Sequence, residues 1–195
     1  MLNKSAEIYH KFCSKIKTLP RAEIIFGSVA VVILLFGIVF LFPDKNDAIS
    51  AAKQEINELS NNIRNHYKTR PDYWGLSTEN AVKNSIVPTQ MVRGNKIMST
   101  LGKEINVGQD KDGTMVMPGG KRFTISIANV GKSACRALLA DNTSHAENPA
   151  LVAISLNTGA EIYAFEWGGE LSLPITPDQA NKFCKNSNEI SWILE

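Results

Sequence analysis

Two short stretches contain residue types that bind phosphate or metal ions, but neither has the full spacing. Gly131-Lys132-Ser133 matches the end of a phosphate-binding loop, in which the lysine and the hydroxyl hold phosphate and magnesium. The glycine required five positions before Gly131 is replaced by Ser126. Asp110-Lys111-Asp112-Gly113 matches the start of a calcium loop, yet the carboxylate required eleven positions after Asp110 is replaced by Lys121. We interpret the first stretch as the start of a helix and the second as a hairpin turn.

The histidines give no better indication of catalysis. Neither His66 nor His145 lies at a spacing that suits a metal site or a nucleophile–base pair. Asn142-Thr143-Ser144 matches a glycosylation sequon, a pattern short enough to arise by chance. A formal net charge of +2 gives little long-range attraction to nucleic acid. We therefore predict that the protein is not an enzyme and that it uses no metal, no cofactor and no nucleic-acid partner.

The most unusual segment is residues 24–42, a run of 19 residues without a charge. As a helix it would span roughly 28 Å, close to the ~30 Å hydrocarbon core of a bilayer. Cleavable secretory signals have shorter apolar cores followed by small residues, whereas this run leads into Phe40-Leu41-Phe42-Pro43. A buried core helix is the alternative, but so long an uncharged run favours a transmembrane helix.

The charges beside this run predict its orientation. Lysine and arginine outnumber acids in residues 1–23, so the positive-inside rule puts this tail in the cytoplasm and residues 43–195 on the other side. Cys135 and Cys184 then share an oxidising compartment, in which a disulfide can form and persist, while Cys13 is alone on the reducing side. We predict a Cys135–Cys184 disulfide; two buried free thiols are the alternative.

After the membrane segment, the sequence predicts an amphipathic helix over residues 43–70. Its end is set by Pro71, because the residue before a proline disfavours helical backbone. A stripe shorter than three heptads favours packing on a globular core over the other possibility, a coiled-coil seam. The apolar positions recur at spacings of three and four: Ile49, Ala52, Ile56, Leu59 and Ile63.

Residues 71–195 are predicted to form a small head domain of mixed helices and strands. A capping box at Thr176, Pro177 and Gln179 predicts the start of a helix that leads to Cys184. Residues 94–97 are predicted to be a loop. Other helices are predicted at 79–86 and 133–139, and strands at 103–109, 114–117, 121–127, 151–156, 161–167 and 189–194. The predicted fold class is α+β: a transmembrane helix continues into an amphipathic helix that packs on a small antiparallel-sheet head.

Several segments resemble the type IVb pilins, and within them the PilS-like pilins. The turn Tyr73-Trp74-Gly75-Leu76 follows the extended helix, as in that family. "KRFTISIANVGKSACRALL" resembles the strand and helix that carry the first cysteine, and "ANKFCKNSNEISWIL" resembles the second-cysteine segment and terminal strand. The resemblance covers roughly residues 20–195. It implies a type IV pilin-like fold and a bacterial protein of the inner membrane whose head is periplasmic, or on a surface pilus once assembled.

The resemblance also implies roles for three residues near the membrane. Glu23 corresponds to the acid at the fifth position of mature pilins, which can pair with the free amine of a neighbouring subunit; a simple headgroup-level position is the alternative. Cleavage by the prepilin peptidase would fall between Thr18 and Leu19. Thr18 replaces the glycine that the family has before this bond, so an uncleaved chain is the second possibility.

The function implied is that of a structural subunit of a type IVb pilus, a pilin or minor pilin for adhesion or conjugative contact. The implied partners are copies of itself, other pilins, the prepilin peptidase, the pilus assembly machinery and the inner membrane. Two alternatives stay open: a non-polymerising membrane protein with a partner-binding periplasmic domain, and a pseudopilin of a secretion system.

Overall fold

The computed structural model describes residues 45–110, 121–141 and 149–195. The predicted cytoplasmic tail (1–23) and transmembrane helix (24–42) lie outside the described residues. The same holds for the strand predicted at 114–117, the turn at Asp112-Gly113 and the sequon at Asn142.

The first described helix, α1, runs Lys45–Tyr67. Asp47 in its first turn and Arg64 in its last turn complement the helix dipole. After Tyr67 the chain turns, and the Arg70 amide donates to the Tyr67 carbonyl at 2.8 Å. The apolar stripe of α1 packs into the core together with residues of the strands, as the short stripe predicted. The buried members of the stripe are Ala52, Ile56, Leu59, Ile63 and Tyr67.

The chain between α1 and the main strands forms small elements. Helix α2 runs Thr78–Lys83, and the Ser77 hydroxyl caps it by accepting from the Asn80 amide at 3.2 Å. A 3-10 turn over Thr89–Met91 leads into two very short strands, β1 (Val92–Arg93) and β2 (Lys96–Met98). The prediction of a loop over residues 94–97 is therefore wrong for its second half. Gly94 makes this hairpin possible, because its φ of +62° lies in the left-handed region.

Five longer strands follow in the chain: β3 Glu104–Gln109, β4 Phe123–Val130, β5 Leu151–Asn157, β6 Ile162–Glu166 and β7 Asn188–Leu194. Within the described residues, seven strands form one antiparallel sheet in the order β1-β2-β3-β4-β7-β5-β6. The last strand, β7, lies between β4 and β5, so the C-terminal segment joins the two halves of the sheet. Two further helices connect the strands: α3 runs Lys132–Asp141 and α4 runs Pro177–Phe183.

The two faces of the sheet differ sharply in composition. On the core face, Ile125 lies opposite Trp192 and Trp192 opposite Ile154, and all three side chains are buried. The alternate positions include a row of three serines, in which Ser191 lies between Ser126 and Ser155. This period of two is what the strand geometry requires. The core therefore lies on the helix-packed side of the sheet.

Candidate functional site

The disulfide joins two helices that lie far apart in the sequence. Cys135 in α3 and Cys184 at the end of α4 are bonded, with 6.0 Å between their Cα atoms and a sequence separation of 49. Both residues are fully buried. The structure thus contains the predicted disulfide, and the alternative of two free thiols is wrong. The bond encloses β5, β6 and α4 in one covalent loop.

Helix α4 is positioned by the predicted capping box. The Thr176 hydroxyl accepts from the Gln179 amide at 3.2 Å, and the Gln179 side chain accepts from the Thr176 amide at 2.9 Å. Pro177 occupies the first turn, where its missing N–H costs no hydrogen bond. At the other end of the helix, the Cys184 amide donates to the Ala180 carbonyl at 3.1 Å. The capping box thus fixes the start of α4, and with it the position of Cys184.

The first cysteine is positioned by the end of β4. Asn129 has a φ of +58°, and the β4–β7 register shifts between Ile127 and Val130, which bends the chain into α3. Asn188 is buried and fixes this bend. Its amide nitrogen donates to the Val130 carbonyl at 2.8 Å, and its oxygen accepts from the Lys185 amide at 2.7 Å. The same side chain therefore ties β4 to the turn that follows Cys184.

Aromatic rings attach the β5–β6 hairpin to α4. The Phe183 ring lies 4.4 Å from the Tyr163 ring and 5.7 Å from the Phe165 ring, between centroids. The Tyr163 phenol donates to the Glu161 carboxylate, and this hydrogen bond raises the pKa of Tyr163. The arrangement is structural, since the phenol and the carboxylate stand on the outer edge of the hairpin.

A second aromatic group lies at the C-terminal end of α1. The Tyr73 ring lies 5.3 Å from the Tyr67 ring and 4.6 Å from the Phe123 ring. Burial raises the pKa of Tyr73, the Arg64 charge lowers it and the Glu195 charge raises it, with a net upward shift. Tyr73, Arg64 and Glu195 are among the residues that line an open polar cavity of about 370 Å³. Its mixture of charges does not select one ligand class.

An apolar groove of about 440 Å³ lies at the other end of α1, and we call it the start groove. Its lining includes Ile49 of α1, Leu101 of the β2–β3 turn, and Lys132 and Ala134 of α3. The turn is held against α1, because the Thr100 amide donates to the Glu55 carboxylate at 2.9 Å. The start groove is therefore built by three separate elements.

Large apolar side chains also stand in solvent. Trp74 is 77% exposed and Ile162 is 67% exposed. Such residues often mark contact surfaces when they lie beside other apolar or aromatic groups. The sequence showed Trp74 only as part of a turn. Its exposure could not be predicted, because it depends on how Tyr73 turns inward to pack on Tyr67.

The structure does not describe all of the site residues that the sequence predicts. Thr18, Leu19 and Glu23 lie outside the described residues, and their roles stay predictions. Among residues 45–110, 121–141 and 149–195, no helix is both long and apolar enough to cross a membrane. That part of the chain also holds no cluster of three or more histidine, cysteine or acidic residues suited to a metal ion. Lys132 opens α3, as the interpretation of Gly131-Lys132-Ser133 predicted.

Comparison with known proteins identifies the family. A family model described as Bundlin matches residues 43–191, well over half of the chain. The structure is similar to the type IVb pilin of Salmonella typhi, with a TM-score of 0.52 and 16% identity over 73% of this chain and 97% of that one. It is also similar to TcpA, a type IV pilin of Vibrio cholerae El Tor biotype, with a TM-score of 0.52 and 12% identity over 76% and 99% of the two chains. No curated protein sequence matches.

At these identities the two solved structures establish the fold, an antiparallel sheet packed with helices as in type IV pilins. The family model adds the relationship in sequence, because its match runs from the start of α1 through both cysteines and into β7. By sequence and by fold, this chain belongs to the bundlin family of the type IVb pilins.

Proposed function

We propose that this chain polymerises into a bacterial type IVb pilus through its N-terminal hydrophobic helix and serves adhesion or conjugative contact. The observation that carries the proposal is the family match over residues 43–191, in a chain whose preceding segment, 24–42, is uncharged. A filament subunit needs a hydrophobic helix and a head domain, since the helix can pack against copies of itself while the head faces solvent.

The membrane step of the proposal rests on the sequence before α1. Residues 24–42 are long enough to span a bilayer, and only Pro43 and Asp44 separate them from α1. The basic tail of residues 1–23 favours a cytoplasmic N-terminus and a periplasmic head. The Cys135–Cys184 disulfide supports this orientation, because such bonds persist in the oxidising periplasm.

Glu23 provides the proposed assembly contact. A carboxylate entering lipid without a partner is costly, by about 3 kcal/mol at the centre of a membrane helix and less at its edge. Pairing with the free N-terminal amine of a neighbouring subunit removes that cost only when the two helices dock in register. The amine exists in the right place if the prepilin peptidase cuts between Thr18 and Leu19.

Substitution of Glu23 tests this contact. We expect Glu23→Ala to reduce surface filaments strongly, while Glu23→Asp keeps the charge and retains part of the assembly. The measurement is immunogold electron microscopy with an antibody against the head, with western blots to show equal amounts of each variant in the membrane. Normal numbers of labelled filaments on Glu23→Ala cells would contradict the docking role.

One observation favours a second candidate function. Thr18 stands where the family has a glycine, so the leader is retained if the peptidase rejects this bond. An uncleaved subunit keeps a basic tail that cannot be buried in a filament core, and it would act as a membrane-held, non-polymerising protein. Absence of the chain from sheared filaments, with full-length protein in the membrane, would favour this candidate.

A further inference from the structure

The start groove has the features of a binding site for an apolar side chain. Its apolar lining includes Ile49, Leu101 and Ala134, which are all only partly buried, although each packs against the core. Lys132 stands exposed at its rim and forms no ion pair within the described residues. An open apolar groove with one cation at its edge fits a bulky apolar side chain next to an acid.

Trp74 has the features of a side chain that would fill the start groove. Its indole is 77% exposed, and its backbone is held in an ordered turn rather than a loose loop. The Trp74 amide donates to the Asp72 carboxylate at 3.1 Å, and the Leu76 amide donates to the Tyr73 carbonyl at 3.0 Å. The tryptophan is therefore presented with an acidic neighbour, and Asp72 makes no ion pair in the part of the chain that the structure describes.

Trp74 cannot reach the start groove of its own chain. The groove lies at Ile49, near the beginning of α1, whereas Tyr73 packs on Tyr67 at the end of α1. Ile49 and Tyr67 are 18 positions apart in this helix, which corresponds to roughly 27 Å. The two features therefore lie at opposite ends of the same rigid helix, and a contact between them needs two molecules.

We propose that Trp74 of one subunit inserts into the start groove of a second copy of this chain, with Asp72 facing Lys132. The proposal rests on the proposed function, since it names the head contact of the same filament. The two patches differ, so the contact is heterologous and repeats from copy to copy instead of closing as a dimer. Parallel subunits joined in this way are staggered by roughly 27 Å along α1.

The contact is weak by itself. A buried tryptophan covers about 150–250 Å², far below the ~1,200 Å² of a stable protein interface. The contact therefore adds register and direction to an association that the N-terminal helices supply. We expect no head-to-head dimer from this contact when single subunits are dispersed in detergent.

Photocrosslinking in cells that produce the filaments tests the contact. In the full chain, Trp74 is replaced by the photoreactive p-benzoylphenylalanine, which keeps a bulky aromatic group. We expect irradiation to give a ladder of dimers, trimers and higher products, with adducts on peptides that contain Leu101 or Lys132–Ala134. The matched control places the same probe at Ile162, the other strongly exposed apolar residue, and should give no adduct on those peptides.

A double-mutant cycle tests the proposed pair. Asp72→Asn and Lys132→Gln should each lower the Trp74 crosslink about threefold, because each removes one charge of a solvent-exposed pair. Asp72→Asn keeps a side-chain oxygen that can accept from the Trp74 amide, so the turn is retained. The double variant should lower the yield no further than either single variant does. A double variant that lowers the yield by the product of the two single effects would overturn the pairing of Asp72 with Lys132.

The outcomes separate this contact from the proposed function. Filaments that contain the chain but show Trp74 adducts elsewhere, or products that stop at dimers, would overturn the contact and leave the pilin function standing. Filaments that lack the chain would overturn both.

Discussion

Helix α1 and the helix pair α3 and α4 are attached to the head in different ways. Helix α1 has 23 residues, and its apolar stripe lies in the core at every turn from Ala52 to Tyr67. Helices α3 and α4 have 10 and 7 residues and bury Leu138, Leu139, Ala180 and Phe183 besides the cysteines. Both regions are therefore attached by burial, and the short pair is attached in addition by a covalent bond and a capped end.

The difference shows how a short helix can be fixed at the surface. A seven-residue helix is marginal in isolation, because nucleation costs more than so few hydrogen bonds return. The capping box and the disulfide add to the stabilisation that burial of Ala180 and Phe183 gives. This predicts that the two regions respond to different substitutions.

The largest effect is expected from removing the disulfide. In the chain-entropy account, closing a loop of about 50 residues stabilises the fold by about 4 kcal/mol. We therefore expect Cys135→Ala with Cys184→Ala to lower the free energy of unfolding by about 4 kcal/mol. Urea unfolding followed by tryptophan fluorescence measures this, with reduced wild-type protein as the control. A loss below about 1 kcal/mol would show that burial alone is enough to hold the α3–α4 pair.

The next effect is a test of burial in α1. Leu59 is fully buried, so Leu59→Ala should cost about 3 kcal/mol, within the usual range for a large core side chain. The adjacent Glu58 is exposed, so Glu58→Ala should change the free energy of unfolding by less than about 0.5 kcal/mol. Equal effects of the two substitutions would contradict the assignment of the buried stripe.

A smaller effect is expected at the cap of α4. Thr176→Ala removes the hydroxyl that accepts from the Gln179 amide and should cost about 1 kcal/mol. Thr176→Ser keeps the hydroxyl and should retain most of the stability. If both variants lose the same stability, the capping box does not stabilise α4.

The smallest effect concerns pH. The folded-state pKa of Tyr73 is raised above the ordinary value of 10.0, chiefly by burial. The unfolded chain therefore releases this proton first, so the stabilisation is complete below about pH 10 and is lost as the pH rises through the folded pKa. Tyr73→Phe should make stability fall less steeply between pH 10 and 11 in the same urea experiment. An unchanged slope would contradict the raised pKa.

The features predicted correctly from the sequence depend on local patterns. The stripe of α1 follows from its period, the start of α4 from Thr176 and Gln179, and the β5–β6 hairpin from the turn that begins at Asn157. The disulfide followed from the number and predicted compartment of the cysteines. Each signal lies within a few residues or in a simple count.

The features that could not be predicted depend on contacts distant in sequence. Strands β1 and β2 have two and three residues, too short to show alternation. The position of β7 between β4 and β5 is a long-range pairing that no local pattern contains. The start groove arises only where three elements meet, and the exposure of Trp74 depends on how Tyr73 packs on Tyr67.

Intact-mass spectrometry of filaments sheared from the cell surface tests the central claim most directly. We predict that the filaments contain this chain. Its mass should equal that of residues 19–195, less the two hydrogens that are lost when the Cys135–Cys184 bond forms. Filaments without the chain, and a full-length mass found only in the membrane fraction, would contradict the claim that it is an assembled pilus subunit.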